Sequence, residues 1–183
     1  MPYSSLYIRE PRWRTLRFQA KLPATVQSWV YETGSLTQRL RHRYGPTVSV
    51  KILHQGWQTP TLSERQRLAL PPHRRAWVRE VLLHTDRQPL ILASTVIPIT
   101  TLQTTHGSLT HLGTRPLGEV IFSYKNRQRL YLELSSVRRT HWKNGLQKIT
   151  GEQTWGRRIV YTLDNRPMIV AEWFLPQLVW PDA

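Results

Sequence analysis

The chain has 183 residues, 39% hydrophobic and 10% aromatic; this composition excludes a disordered chain and provides one domain with its own core. It contains no cysteine, which excludes disulfides, thiolate metal sites and a cysteine nucleophile. Its 26 Lys and Arg against 11 Asp and Glu give a formal charge of +15, which either attracts anionic partners or reflects only a well-solvated, Arg-rich surface.

The first residues form a basic and aromatic stretch with two prolines. We interpret residues 1–15 as an N-terminal arm and residues 16–183 as a single domain. The arm lacks the continuous apolar stretch of a signal peptide, and no apolar run in the chain approaches the ~20 residues of a membrane helix. We therefore expect a cytoplasmic protein with no membrane span.

Residues 24–44 carry the clearest helical pattern. Apolar side chains spaced at i, i+3 and i+4 begin at Val26 and predict a first helix. Ser35 suits the N-cap of a second helix that begins at Leu36 and ends before Gly45.

Most of the remaining chain alternates between apolar and polar residues, which predicts strands. The predicted strands cover 47–57, 74–85, 90–99 and 130–137, followed by a hairpin within 155–176. A short helix fits the connections 59–72 and 101–113, whereas 119–124 fits either a strand or a short helix. The segment 138–152 is basic and irregular.

The C-terminal hairpin contains one unusual carboxylate. Its two strands flank Asp164 and Asn165, residues that favour a tight turn. Glu172 lies within the apolar run 171–175, where it must face solvent, be paired, or belong to a functional site. We favour the functional site, completed by a cation from elsewhere in the chain.

Consecutive strands joined by tight turns pair antiparallel. The helical signal is confined to the first quarter of the chain and to 101–113. The sequence therefore predicts an α+β fold, a single domain with a mainly antiparallel sheet and helices packed on it.

Arg79 is the most unusual cation, because it shares a strand face with Val81 and Leu83. One interpretation is an internal ion pair with Glu80, Glu172 or another acid. The other is a bidentate clamp for a ligand carboxylate, which the planar guanidinium suits well.

Two backbone N–H groups are further candidates for anion binding. The corner 115–118 is either turn geometry alone or a means of offering the N–H of Leu117 to an anion. The N–H of Leu36, at the start of a helix, can act in the same way.

The basic residues also permit a nucleic-acid interpretation. Arg157, Arg158 and the basic segment 138–152 can contact phosphates, with Trp142 available for base stacking. The alternative is a solvated charged edge. The seven histidines show no HxxxH or HxH spacing, and no nucleotide-binding or serine-nucleophile motif is present, so we expect neither a metal nor a bound nucleotide.

Four segments, in this order, resemble the bacterial chorismate pyruvate-lyase (chorismate lyase) family. They are WVREVLL at 77–83, TVIPITTL at 95–102, LGTRPLG at 112–118, and WGRR at 155–158 followed by EWFLP at 172–176. The resemblance extends from about residue 16 to residue 178 and is strongest after Trp77. The basic segment 138–152 and the N-terminal arm depart from the family pattern.

The resemblance implies an antiparallel sheet with helices over an internal, covered ligand cavity. It also implies cofactor-free conversion of chorismate to 4-hydroxybenzoate and pyruvate, at the start of ubiquinone or plastoquinone synthesis. By matching position, Arg79 binds the ligand carboxylate, Glu172 lies near the ring hydroxyl, and Leu117 and Leu36 contact the ligand. We expect a monomer that binds chorismate and releases 4-hydroxybenzoate slowly.

Two other functions stay open at this point. The same fold serves as the effector domain of some bacterial regulators, which suggests a non-catalytic sensor of small anions, although residues 1–46 are too short for the winged-helix domain of such regulators. The +15 charge leaves open a basic nucleic-acid-binding protein, which we consider the weaker alternative.

Overall fold

A seven-stranded antiparallel sheet is the centre of the fold. The computed structural model describes residues 4, 6–15, 22–143 and 145–181, and the following bounds refer to that part of the chain. The strands are β1 (Arg14–Thr15), β2 (Ser49–Gln58), β3 (Ala76–His84), β4 (Pro89–Ile97), β5 (Arg127–Arg138), β6 (Gln153–Leu163) and β7 (Arg166–Phe174). They lie in the order β1-β5-β6-β7-β4-β3-β2. The predicted α+β fold is therefore confirmed.

In the described residues, five short α-helices lie between strands and a sixth follows β7. They are α1 (Ala24–Val30), α2 (Leu36–Tyr44), α3 (Leu62–Arg67), α4 (Ile99–Thr104), α5 (Leu117–Ile121) and α6 (Pro176–Val179). The predicted cap of α2 is confirmed, because the Ser35 side chain accepts a hydrogen bond from the backbone N–H of Gln38 at 3.3 Å. The helix ends at Gly45, whose φ of 81° favours glycine. The segment 119–124, which fitted either a strand or a helix, overlaps the end of α5, a helix of 5 residues.

The β6–β7 hairpin forms as the turn residues predict. Asp164 and Asn165 have φ angles of 47° and 63°, which these two residue types tolerate better than most. Within the hairpin Gly156 pairs with Trp173, and a Cβ on Gly156 would lie 2.2 Å from the indole. The indole therefore packs directly on the backbone of β6.

The two faces of the sheet differ. One face packs against α1, α2 and α6 around a cluster that includes Val26, Leu40 and Phe174. The other face is covered partly by the N-terminal arm, whose Leu6 and Tyr7 are buried beside Trp173. The predicted start of the domain at residue 16 lies outside the described residues.

Trp142 is not available for stacking on a base. It is fully buried, with its ring 5.4 Å from that of Trp173 in an edge-to-face contact. The described part of the basic segment around it contains two 3₁₀ turns, Arg139–His141 and Leu146–Lys148. That part of the nucleic-acid interpretation was wrong, because the apolar body of the tryptophan belongs to the core.

Candidate functional site

Two of the predicted site residues, Arg79 and Glu172, lie on one face of the sheet because of strand register. In β3, β4 and β7, Arg79 pairs with Thr95, and Thr95 pairs with Val170. One step further along β7, on the same face, Glu172 pairs with Ala93 of β4. Since side chains alternate along a strand, the guanidinium and the carboxylate lie on adjacent rows of one face.

A pocket lies between this sheet face and two covering segments. From the sheet it is lined by Arg79, Val81, Leu83, Val50, Ala93, Thr95, Arg157, Tyr161, Val170 and Glu172. From above it is lined by residues 34–37, which lead into α2, and by 116–118, 121 and 122 in and around α5. The pocket is therefore largely apolar, with two arginines, a glutamate and a tyrosine as its ionisable groups.

Arg79 is almost fully buried, with 2% of its surface exposed. One terminal nitrogen donates to the carbonyls of Gly113 and Arg115 at 3.0 and 3.1 Å. Its Nε is buried and has no hydrogen-bond partner among the described residues. Burial lowers the pKa of Arg79 because it disfavours the charged form. The fork is thus oriented by the corner 113–115 and retains a donor for an anionic ligand.

The interpretation of Arg79 as an ion-pair partner of Glu80 or Glu172 was wrong. Glu80 lies on the opposite face, where it accepts a hydrogen bond from Ser4 Oγ at 2.7 Å. Glu172 pairs with Arg157 instead, at 2.7 Å between Oε2 and Nε.

Arg157 is the cation that sequence reasoning missed. The predictions that Arg157 and Arg158 bind phosphates or form a solvated edge are both wrong, because both side chains are buried. Arg157 faces the pocket, whereas Arg158 faces the other way and pairs with Glu133 at 2.6 Å. The alternation of strand residues was a usable signal, because it places Arg157 and Arg158 on opposite faces of the sheet. The structure shows one carboxylate partner on each face, Glu172 for Arg157 and Glu133 for Arg158.

The Glu172 end of the pocket contains further ionisable groups. Burial and the negative charge of Glu172 raise the pKa of Tyr161, which keeps the phenol protonated. Burial also lowers the pKa of Arg129, which is near the same carboxylate. This end therefore presents an anion, a neutral hydroxyl and nearby guanidinium groups.

Leu36 and Leu117 begin the two helices that cover the pocket. The N–H groups of a first helical turn have no acceptor within their own helix. The two covering segments are in close contact, since a Cβ on Gly118 would lie 2.7 Å from Ser35 Oγ. An ion pair between Arg41 of α2 and Glu119 of α5 also joins them.

All four predicted site residues thus line one pocket. Among the described residues, no group of three or more histidine, aspartate or glutamate side chains is arranged to hold a metal ion. Nor does any described helix combine the length and apolar character needed to cross a membrane.

A model of the chorismate lyase family matches residues 11–182. The chain belongs to the chorismate lyase family. A relative from Methylococcus capsulatus, named a probable chorismate pyruvate-lyase, is 39% identical over 84% of this chain and 96% of its own length. Another from Pectobacterium carotovorum, named chorismate pyruvate-lyase, is 32% identical over 85% of this chain and 80% of its own length.

Solved structures of regulators share the fold. PhnF from Mycobacterium smegmatis matches with a TM-score of 0.57 at 12% identity, over 81% of this chain and 67% of that chain. The effector domain of PhnF matches with a TM-score of 0.55 at 12% identity, over 79% of this chain and 90% of that chain. At such identity the likeness concerns the fold alone.

Proposed function

We propose that the protein is a chorismate pyruvate-lyase, converting chorismate to 4-hydroxybenzoate and pyruvate for ubiquinone or plastoquinone synthesis. The observation that carries the proposal is the placement of Arg79 and Glu172 on one pocket, in a chain of the chorismate lyase family. Chorismate is a small dianion with an apolar ring, so a mostly apolar pocket with a guanidinium fork suits it.

Arg79 binds the ring carboxylate in this proposal. Its fork is held by two backbone carbonyls, and its buried Nε is a donor that a carboxylate can satisfy. The N–H groups of Leu36 and Leu117, each at the first position of a covering helix, are the proposed additional donors to the ligand.

Glu172 interacts with the ring hydroxyl at the other end of the ligand. The reaction breaks the bond between the ring and the enolpyruvyl oxygen, and the adjacent ring carbon loses its hydrogen as the ring becomes aromatic. Either the Glu172 carboxylate accepts that hydrogen as a proton, and the released enolate takes up a proton at its methylene carbon to give pyruvate, or the hydrogen passes directly to that methylene. In both cases the protein mainly holds a reactive geometry and stabilises shifting charge, and we expect no cofactor.

In the proposed function, the two covering segments separate the bound ligand from solvent. An aromatic product held under residues 34–37 and around α5 leaves only when these segments move. We therefore expect slow release and inhibition by 4-hydroxybenzoate.

Incubation of the purified protein with chorismate tests the proposed function directly, with 4-hydroxybenzoate followed by its absorbance. Folded protein without turnover would contradict the proposal. In Glu172→Gln, the single-turnover rate should fall about 1,000-fold or more if the carboxylate is the base, because general-base catalysis is lost. A fall of about tenfold would instead indicate a positioning role, since the amide can still hydrogen-bond the hydroxyl.

A non-catalytic sensor is the second candidate, supported by the fold shared with the PhnF effector domain. Tight binding of chorismate or 4-hydroxybenzoate without turnover would favour it. A nucleic-acid-binding role is weakened because Trp142, Arg157 and Arg158 are buried. A cytoplasmic location and a monomeric state remain part of the proposal, and cell fractionation and sedimentation of the purified protein test them.

A further inference from the structure

Arg157 makes contacts to two parts of the molecule at once. Its Nε donates to Glu172 at 2.7 Å. Its terminal nitrogen NH1 donates to the carbonyls of Trp29, Val30 and Glu32 at 3.1, 3.0 and 2.6 Å. These carbonyls belong to the last turn of α1 and to the residues just after it, and two positions further on the chain begins to line the pocket.

This end of α1 is suited to a cation. The last carbonyls of a helix have no following helical turn to supply N–H donors, and they carry partial negative charge. No basic residue occupies the last turn of α1 itself, so the positive charge comes from β6. Arg129 of β5 lies at the same place, with NH1 3.5 Å from the carbonyl of Glu32.

We propose that Arg157 is a positioning residue that joins the Glu172 carboxylate to the end of α1 and to the following segment 31–35, whose last two residues line the pocket. One guanidinium fixes the position of the carboxylate and also anchors the start of the cover. When this segment moves away, Arg157 loses the Glu32 carbonyl, the shortest of its three backbone contacts, and Glu172 loses a rigidly held partner. Opening and loss of the reactive arrangement are therefore coupled.

Arginine is required for both contacts because its planar fork donates in two directions. A lysine at this position keeps the charge beside Glu172 but is a single point donor that cannot also hold three carbonyls. A glutamine removes the charge. The two variants therefore separate the role toward the carboxylate from the role toward the cover.

Amide hydrogen exchange in the ligand-free protein tests the anchor without reference to turnover. In Arg157→Lys and Arg157→Gln, amides of 31–35 should exchange about tenfold faster or more, while amides of the β3–β4 hairpin change little. The matched control is Arg158→Lys, equally buried on the same strand but on the opposite face. Exchange at 31–35 equal to that of the wild type in both Arg157 variants overturns the proposal.

Kinetics test the coupling, and this arm relies on the proposed function. In Arg157→Lys, 4-hydroxybenzoate should dissociate about tenfold faster, with a single-turnover rate within about threefold of the wild type. In Arg157→Gln, the single-turnover rate should fall about 100-fold, because Glu172 is no longer held. Equal effects of lysine and glutamine on both rates would overturn the division of roles. Wild-type protein that does not turn over chorismate would refute the proposed function, while the exchange measurement would still decide the anchor.

Discussion

In the proposed function, Arg79 is already oriented before the ligand arrives. Its bonds to the carbonyls of Gly113 and Arg115 fix the plane of the fork, and burial strengthens any contact with an anion. A lysine at this position cannot reproduce that planar arrangement.

We expect Arg79→Lys to lower kcat/KM for chorismate about 100-fold, because a bidentate charge-assisted contact is lost. The affinity for 4-hydroxybenzoate should fall to a similar extent, measured by calorimetry. Arg87→Lys, at an exposed position in the turn between β3 and β4, is the control and should leave both quantities unchanged. An Arg79→Lys protein with wild-type affinity would show that the fork does not hold the carboxylate.

Side-chain faces could be predicted at the residue scale, but partners could not. The alternation around Arg79 placed it correctly on the face of Val81 and Leu83. The partner of Glu172 is Arg157, which lies 15 positions away in sequence on a neighbouring strand. Because Arg157 is next to Arg158 and other polar residues, its segment resembled an exposed strand edge. From sequence alone, a buried arginine cannot be distinguished from an exposed one, because its burial depends on a carboxylate that is distant in sequence.

At the scale of elements, we expect the contact between the two covering segments to determine how easily the pocket opens. Gly118, near the start of α5, is close to the Ser35 hydroxyl that caps α2. An added methyl group would therefore have to displace either the cap or the segment.

We expect Gly118→Ala to destabilise the protein by about 1 kcal/mol, the typical value of a lost N-cap. It should also speed the release of 4-hydroxybenzoate about tenfold, measured by stopped-flow displacement, because the segments are pushed apart. Ser35→Gly in the same chain provides room for the methyl group and should restore slow release. If the single variant releases product at the wild-type rate, the contact does not control opening.

Elements with strong local signals were predictable from sequence, and weak ones were not. The turn at Asp164 and Asn165 and the cap at Ser35 depend on the local residue types and not on distant contacts, so both were predicted correctly. The segment 119–124 was ambiguous because α5 is too short to show a 3.6-residue period, and its position depends on contacts with α2.

At the scale of the whole molecule, one buried acid links stability to pH. Glu64 completes a capping box on α3, with Oε2 accepting from the Thr61 N–H at 2.8 Å. Burial, as the largest cause, raises the pKa of Glu64 from 4.5 to about 7, so the folded state keeps a proton that the unfolded chain releases. Its contribution to stability is therefore present below pH 4.5 and lost as the pH rises to about 7.

Glu64→Gln removes that pH dependence, because the amide stays neutral. Relative to the wild type, the variant should gain roughly 2 to 3 kcal/mol of unfolding free energy between about pH 4 and pH 8. Urea unfolding of both proteins at the two pH values measures this difference. A constant difference between variant and wild type across the range would show that the pKa of Glu64 is the same in the folded and the unfolded protein.

β6 carries two arginines in a row, so sliding this strand by one position would still present a positive group to each side of the sheet. Charge alone therefore does not distinguish the correct alignment from its nearest error. Gly156 does, because the Trp173 indole rests where any side chain would collide with it. A displaced strand would have to fit Trp155 or Arg157 under that ring. The absence of a side chain at Gly156 therefore favours the register that pairs Arg157 with Glu172.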